Sequence, residues 1–115
     1  MKVISIKENH IFRRLYAKGK SAASPCLAVY CRRNGRSQGR LGITVSTKLG
    51  KAVPRKKVRR RIREIYRLHQ AELLPGYDMV IVARVKAAHS NYAAIEKSFL
   101  SCMDKLGLRR KENEA

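Results

Sequence analysis

The chain has 115 residues, and 27 Lys and Arg against 8 Asp and Glu give it a formal net charge of +19 at pH 7. This length suits one compact domain with a modest core, and the charge favours a polyanionic partner, either nucleic acid or an anionic membrane. No apolar run approaches the roughly 20 residues of a membrane-spanning helix and no N-terminal signal segment is visible, so we expect nucleic acid and no membrane partner.

The first part of the chain predicts a short helix and two strands. Ser5 and Glu8 have the spacing of a capping box, with Ser5 as the N-cap of the helix that follows. Residues 21–25 are predicted to form a loop. Alternation of apolar and polar residues predicts strands over residues 26–32 and 40–46. Each strand would have one apolar face and one accessible polar face, and we predict that the two form a hairpin.

The next element is a strongly basic helix, because residues 51–64 hold eight cations in fourteen positions and still keep a helical apolar pattern. We predict a helix over about residues 53–74. Its apolar face consists of Val58, Ile62, Ile65, Tyr66 and His69. Nearly opposite lie four cations, Lys56, Arg60, Arg63 and Arg67. Arginine pairs bidentately with phosphate oxygens, so this face suits a polyphosphate partner.

The last third predicts a central strand and a final helix. Residues 77–84 form a continuous apolar run, which indicates a strand buried on both faces. A helix from about residue 91 ends at Gly107, and residues 109–115 form a charged, frayed tail. The order is α-β-β-α-β-α, an α+β fold in which one sheet and its helices form a two-layer sandwich. If the second and third strands are neighbours, their connection through the basic helix makes them parallel.

No catalytic or metal-binding constellation emerges from the sequence. Apart from a pair in the tail, no two carboxylates fall together in a predicted cleft, and His10, His69 and His89 lack the spacing of metal ligands. The three cysteines are read as buried thiols of a reducing cytoplasm. A metal pair of Cys26 and Cys31 is disfavoured, because strand residues five apart point to opposite faces. We therefore predict no catalytic residue and no metal site within this chain.

Aromatic residues near cations favour a nucleic-acid-binding role. Single-stranded nucleic acid is typically held by a cationic groove with aromatic stacking platforms. Phe12 and Tyr16 lie one turn apart on the first helix, and Tyr30 lies beside Arg32 on the polar face of the first strand. Phe12 and Tyr16 could instead simply fill the core. The non-core position of Tyr30 favours an exposed contact.

The chain resembles the bacterial ribonuclease P protein family over nearly its whole length. Residues 39–64, from Gly39-Arg-Leu-Gly through the basic run to Ile62-Arg-Glu64, are similar to the family's central signature. Residues 9–19 resemble its opening helix, and residues 75–84 resemble the strand after its basic helix. The motifs occur in the family's order and at its spacing.

This resemblance implies a subunit of a ribonucleoprotein rather than an enzyme by itself. The family's protein joins a large catalytic RNA, and the holoenzyme removes the 5′ leader of precursor tRNA with Mg²⁺ held mainly by the RNA. The protein guides the single-stranded leader along a cleft between the sheet and the first helix. The implied partners are the RNA subunit and precursor tRNA, with no obligate protein partner, in the cytoplasm. The family fold includes a left-handed βαβ crossover, against the usual right-handed rule.

The resemblance and the helical pattern together assign two groups of site residues within one RNA-binding domain, residues 1–115. The cations for the RNA subunit are Lys51, Arg55, Lys56, Lys57, Arg59, Arg60, Arg63 and Arg67. The leader cleft would consist of Phe12, Tyr16, Tyr30 and Arg32. Lys56 stands where the family usually carries Asn, so the chain gains a charge there and loses a hydrogen-bond acceptor.

The main alternative is a structural, ribosomal-type RNA-binding protein without a processing role, which the composition suits equally well. A basic DNA-binding or membrane-surface protein is a weaker alternative. The sequence shows no helix-turn-helix pair and no amphipathic helix with an exposed apolar face.

Overall fold

The structure is a computed structural model that describes residues 3–110, and it consists of a four-stranded sheet with helices on both faces. The main elements are α1 (Asn9–Lys18), β1 (Lys20–Ala23), β2 (Leu27–Arg33), β3 (Arg40–Thr44), α2 (Ala52–His69), β4 (Tyr77–Ala83) and α3 (Tyr92–Leu106). Short 3₁₀ turns lie at Thr47–Leu49, Gln70–Glu72 and Val85–His89. The predicted α+β fold and the order of its elements are confirmed, with β1 as one additional short strand.

The sheet order is β1-β2-β4-β3, so β4 lies in the centre as its apolar sequence predicts. β4 is antiparallel to β2 and parallel to β3, which confirms the parallel arrangement predicted for the connection through α2. The predicted hairpin of β2 and β3 is wrong, because β4 lies between them. A strand with two apolar faces needs a neighbour on each side to satisfy its backbone, and β2 and β3 are those neighbours.

The prediction of a loop at residues 21–25 is also wrong in part. Lys20–Ala23 pairs antiparallel with β2, and Lys20 lies opposite Cys31. Small and polar residues carry little strand signal, so this edge strand depends on pairing with β2 rather than on its own sequence.

The main core lies between one face of the sheet and the helices α2 and α3. The apolar stripe predicted for α2 is confirmed, since Val58, Ile62, Ile65 and Tyr66 are all buried. Facing it are buried side chains of the sheet and of α3, namely Leu27, Val29, Cys31, Met79, Ile81, Ile95, Phe99, Cys102 and Met103. Cys26 precedes β2 and is buried in this core, as predicted for the cysteines, and its backbone N–H donates to Ser98 Oγ.

Helix α2 is shorter than predicted, and the tail is more ordered than predicted. The helix ends at His69 rather than near residue 74, and a 3₁₀ turn follows it. Leu73 then forms a β-bridge with Arg109, and the Arg110 backbone N–H donates to the Glu72 carbonyl at 2.7 Å. The prediction of a frayed tail is therefore wrong for these two arginines, and residues 111–115 lie outside the described part of the chain.

The segment before α1 does not form the predicted capping box. α1 begins at Asn9 with Glu8 as its N-cap, and no side chain caps it. Ser5 instead forms a parallel β-bridge with Leu41, and the Ile6 backbone N–H donates to the Leu41 carbonyl at 2.9 Å. Pairing with β3 therefore fixes the path of the chain into α1.

Helix α1 lies on the opposite face of the sheet from α2 and α3. It packs against β2 and β4 and closes a second, smaller core in which Ile6, Leu15 and Val80 are buried. With only ten residues, α1 is the single helix on this face of the described structure. The predicted cleft residues lie where α1 meets the sheet.

Candidate nucleic-acid interface

The three aromatic residues predicted for the cleft come together between α1 and the sheet. The Tyr16 and Tyr30 rings meet edge to face, with their centroids 5.0 Å apart and their planes at 89°. Phe12 lies against Gly42 so closely that a Cβ built on this glycine would be 2.6 Å from Phe12 Cζ. Phe12 and Tyr30 are half-buried, whereas Tyr16 is 42% exposed. The cluster therefore combines packing with an accessible ring surface, and its role in binding stays a prediction.

Thr44 completes this cluster and was not among the site residues predicted from the sequence. The Tyr16 hydroxyl and Thr44 Oγ1 are 3.0 Å apart, which is hydrogen-bond distance. The available signal was its place on the polar face of β3, two residues beyond Gly42. The contact of Thr44 with Tyr16 depends on where α1 docks on the sheet, and the strand pattern contains no information about the position of α1.

Arg32 lies on the same face of β2 as Tyr30, two residues further along the strand, and its side chain is exposed. Its partner in register on β4 is Asp78. The Asp78 carboxylate is buried and accepts hydrogen bonds from Arg40 Nε at 2.7 Å and Nη2 at 2.6 Å, and from Asn34 Nδ2 at 2.9 Å. Asp78 is therefore already paired with Arg40, which leaves Arg32 as a cation at the end of the aromatic cluster.

The ion pair of Arg40 and Asp78 changes the acidity of the carboxyl group. Burial alone raises the pKa of Asp78, but the hydrogen bonds from Arg40 and Asn34 outweigh burial and hold this pKa below its ordinary value. The same contact raises the pKa of Arg40. The pair is thus charged at neutral pH, and it ties the chain around residue 34 to β3 and β4.

The predicted RNA-binding cations lie along the outer side of α2 and at its N-cap, Lys51. Seven of the eight are exposed, namely Lys51, Lys56, Lys57, Arg59, Arg60, Arg63 and Arg67. Arg55 is half-buried, and within the described residues its Nε has no hydrogen-bond partner. The helix therefore presents an array of cations at fixed spacing, as its sequence predicts.

Three of these cations also contact the protein. Arg67 donates to both carboxylate oxygens of Glu64, at 3.1 and 2.6 Å, and these bonds lower the pKa of Glu64 and raise that of Arg67. Arg63 Nη1 donates to Ser5 Oγ at 3.2 Å, and Arg59 Nη1 donates to the Ile43 carbonyl at 2.8 Å. A guanidinium has five N–H donors, so Arg59 and Arg63 keep donors for phosphate. The charge of Arg67 is offset by Glu64, which makes it the weakest of the predicted contacts.

Two adjacent residues at the end of β3 connect the aromatic cluster with the cationic helix. The Ile43 carbonyl accepts from Arg59 of α2, and the Thr44 hydroxyl bonds Tyr16 of α1. The stacking surface and the cations of α2 therefore flank the same end of one strand.

The described residues contain no group of three or more His, Cys, Asp or Glu side chains that could hold a metal ion. Cys26, Cys31 and Cys102 are buried free thiols, and burial raises the pKa of the latter two. Between residues 3 and 110 no helix is long and apolar enough to cross a membrane.

A cavity of about 870 Å³ lies between residues 3–7, residues 37–39 and the end of α2, and its lining residue Ser5 accepts a hydrogen bond from Arg63. Its walls include Tyr66, Gln70 and Leu108. None of the predicted site residues lines it.

Comparisons with known proteins cover both parts of the interface. A family model described as Ribonuclease P matches residues 1–107. The ribonuclease P protein component of Alkaliphilus oremlandii is 39% identical over 109 residues, which cover 94% of this chain and 96% of the relative. That of Clostridioides difficile is 44% identical over 94 residues, covering 81% and 82%. The solved RNase P protein of Staphylococcus aureus superposes with a TM-score of 0.86 at 35% identity, covering 95% of this chain and all of the other.

Proposed function

Because this chain belongs to the ribonuclease P protein family, we propose that it is the protein subunit of a holoenzyme that removes the 5′ leader from precursor tRNA in the cytoplasm. In this proposal an RNA subunit holds the Mg²⁺ and performs the hydrolysis. The chain supplies binding energy and electrostatics. Its buried and half-buried carboxylates support this division, because Asp78, Glu64 and Glu96 are already bonded to Arg40, Arg67 and His69.

The proposal rests on the contacts that Arg59 and Tyr16 make at the end of β3. Arg59 contacts Ile43 and Tyr16 contacts Thr44 there, so the cations of α2 and the aromatic cluster flank the same end of the edge strand β3. We assign α2 to the RNA subunit, whose backbone matches an array of fixed cations. We assign Phe12, Tyr16, Tyr30 and Arg32 to the single-stranded leader, whose unpaired bases can stack on aromatic rings.

This arrangement predicts two functional effects. Cations offset phosphate repulsion where the RNA subunit, leader and metal ions meet, so the protein should lower the Mg²⁺ concentration that cleavage requires. The leader is present only in the precursor, so contacts to it favour precursor over mature tRNA. A tenfold preference takes about 1.4 kcal/mol, and one stacked base supplies about 1–3 kcal/mol.

The test is the substitution Tyr16→Ala in the reconstituted holoenzyme. The ring is 42% exposed, so its removal should cost the fold little while it removes one stacking contact. We expect precursor tRNA to bind about 5- to 150-fold more weakly, and mature tRNA to bind as it does to the unmodified holoenzyme. Affinities for both RNAs, measured by titration at fixed salt, check this. Equal weakening for both RNAs would contradict a leader-binding cleft.

A further inference from the structure

Helix α1 and strand β3 are in register across the cleft. Phe12 lies over Gly42, and Tyr16 bonds Thr44, so a step of four residues on the helix matches a step of two on the strand. Four helical residues rise about 6 Å, and two strand residues advance about 6.6 Å, so the two steps have nearly the same length. One face of β3 therefore determines the environment of both α1 aromatics.

The two strand positions have opposite effects on the rings above them. Gly42 lets Phe12 sink onto the strand, because any side chain there would collide with Phe12 Cζ and Cε1, at 2.6 and 2.7 Å from its Cβ. Thr44 instead contacts the phenol oxygen of Tyr16, at 3.0 Å from the Thr44 hydroxyl oxygen. Phe12 is half-buried as a result, whereas Tyr16 stays 42% exposed.

Tyr16 is restrained at two points although it is largely exposed. The Tyr30 ring meets it edge to face at 5.0 Å, and the Thr44 hydroxyl bonds its phenol oxygen. An aromatic side chain has two rotatable bonds, and two contacts in different directions are enough to define its orientation. A ring fixed in advance loses less freedom when a base stacks on it, which strengthens binding.

We propose that Thr44 is a positioning residue for leader binding, whose hydroxyl holds the Tyr16 ring in the orientation that receives a leader base. This inference rests on the proposed function, and it adds a residue to that site. It distinguishes the role of Thr44 from that of Tyr16, because Thr44 acts only through the phenol oxygen.

A double-mutant cycle in the holoenzyme tests the proposal, with Tyr16→Phe, Thr44→Val and their combination. Valine keeps the β-branched shape of threonine, and phenylalanine keeps the ring, so each change removes one hydroxyl. We expect each single change to weaken precursor binding about 3- to 10-fold, and the double change to weaken it no further. Thr44→Ser keeps the hydroxyl that Thr44→Val removes, so it should bind precursor tRNA as the unmodified holoenzyme does. Binding of mature tRNA, which has no leader, should stay unchanged.

Tyr92→Phe is the matched control, since it removes a buried hydroxyl that has no hydrogen-bond partner within the described residues and lies on α3, on the other face of the sheet. Losses that add in the double variant, or an unchanged affinity in Thr44→Val, would overturn the positioning role. Because Tyr16→Phe changes only an exposed side chain, it remains informative even if Thr44→Val folds poorly. The proposed function fails separately, if the unmodified holoenzyme shows no preference for precursor over mature tRNA.

Discussion

At the scale of single residues, neighbouring cations of one run have different roles. Arg61 donates to the Ser90 carbonyl and Arg59 to the Ile43 carbonyl, while Arg60 between them is exposed. Successive helical residues point about 100° apart, so adjacent arginines meet different surroundings. Composition shows that the run is basic, but only the helical direction separates a cation that holds a loop from one that faces solvent.

Asp78 makes a residue-scale prediction, because its buried ion pair with Arg40 ties three segments together. Asp78→Ala leaves Arg40 without its partner, and we expect the free energy of unfolding at pH 7 to fall by about 3 kcal/mol. Asp104→Ala is the control, since Asp104 is an exposed carboxylate bonded to Arg109 at 3.3 Å and should cost less than about 1 kcal/mol. Urea unfolding of both variants measures the difference.

The pH dependence of this effect follows from the lowered pKa of Asp78. A lowered pKa in the folded state gives stability that is present above the unfolded value of about 3.9 and is lost as pH falls through the folded pKa. The deficit of Asp78→Ala should therefore be constant near neutrality and shrink below about pH 3.9. A deficit that grows on acidification would contradict the assignment.

At the scale of elements, His69 joins the end of α2 to its neighbours. Its Nδ1 contacts Glu72 of the following turn, and its Nε2 lies 2.7 Å from Glu96 of α3. Burial lowers the pKa of His69, but the hydrogen bonds to Glu96 and Glu72 outweigh burial and raise this pKa above its ordinary value. The end of α2 is thus held by a histidine bonded to two carboxylates.

The raised pKa gives a prediction for the stability of this junction. Its contribution is full below the unfolded pKa of about 6.5 and is lost as pH rises through the higher folded pKa. We expect the stability difference between the unmodified protein and His69→Gln to be largest near pH 6 and to decline at alkaline pH. Unfolding in urea across this range measures it, with His89→Gln as the control for loss of an exposed imidazole. A difference independent of pH would show that the imidazole is not charged in this junction.

Most elements could be predicted because their signals are local. The apolar stripe of α2 and the continuous apolar run of β4 each define one element from its own residues. The neighbour of β2 could not be predicted in this way, because strand alternation shows which face is buried and says nothing about which strand pairs with it. The apolar faces of β4 held the missing information, since a central strand needs partners on both edges. The small and polar residues of β1 carried no comparable strand signal.

The candidate site also contains residues with a local sequence signal and one residue without such a signal. Phe12, Tyr16 and Tyr30 were predicted from helix spacing and strand alternation, and the structure brings all three together. Thr44 was missed, because its contact with Tyr16 joins residues 28 positions apart and arises only when α1 docks on the sheet. Glu64 offsets Arg67 one turn away on α2.

At the scale of the whole molecule, the charge of +19 predicts strongly salt-dependent binding to RNA. Each phosphate contact contributes about 0.7–0.9 to the slope of log affinity against log salt, because bound cations release counterions. We expect Arg60→Ala with Arg63→Ala to reduce the slope for the RNA subunit by about 1.5. Lys86→Ala with Lys97→Ala removes the same charge from exposed positions outside α2, and should leave the slope unchanged. Equal slopes for the two double variants would mean that the α2 cations are merely solvated.

The most direct test of the central claim is cleavage of precursor tRNA by a bacterial ribonuclease P RNA at low Mg²⁺, with and without this protein. The proposed function predicts cleavage at the mature 5′ end that appears only when the protein is present, with the chemistry in the RNA. Tight binding to the RNA without any stimulation of cleavage would contradict it, and would favour a structural RNA-binding protein, with Lys56→Asn as the first substitution to test.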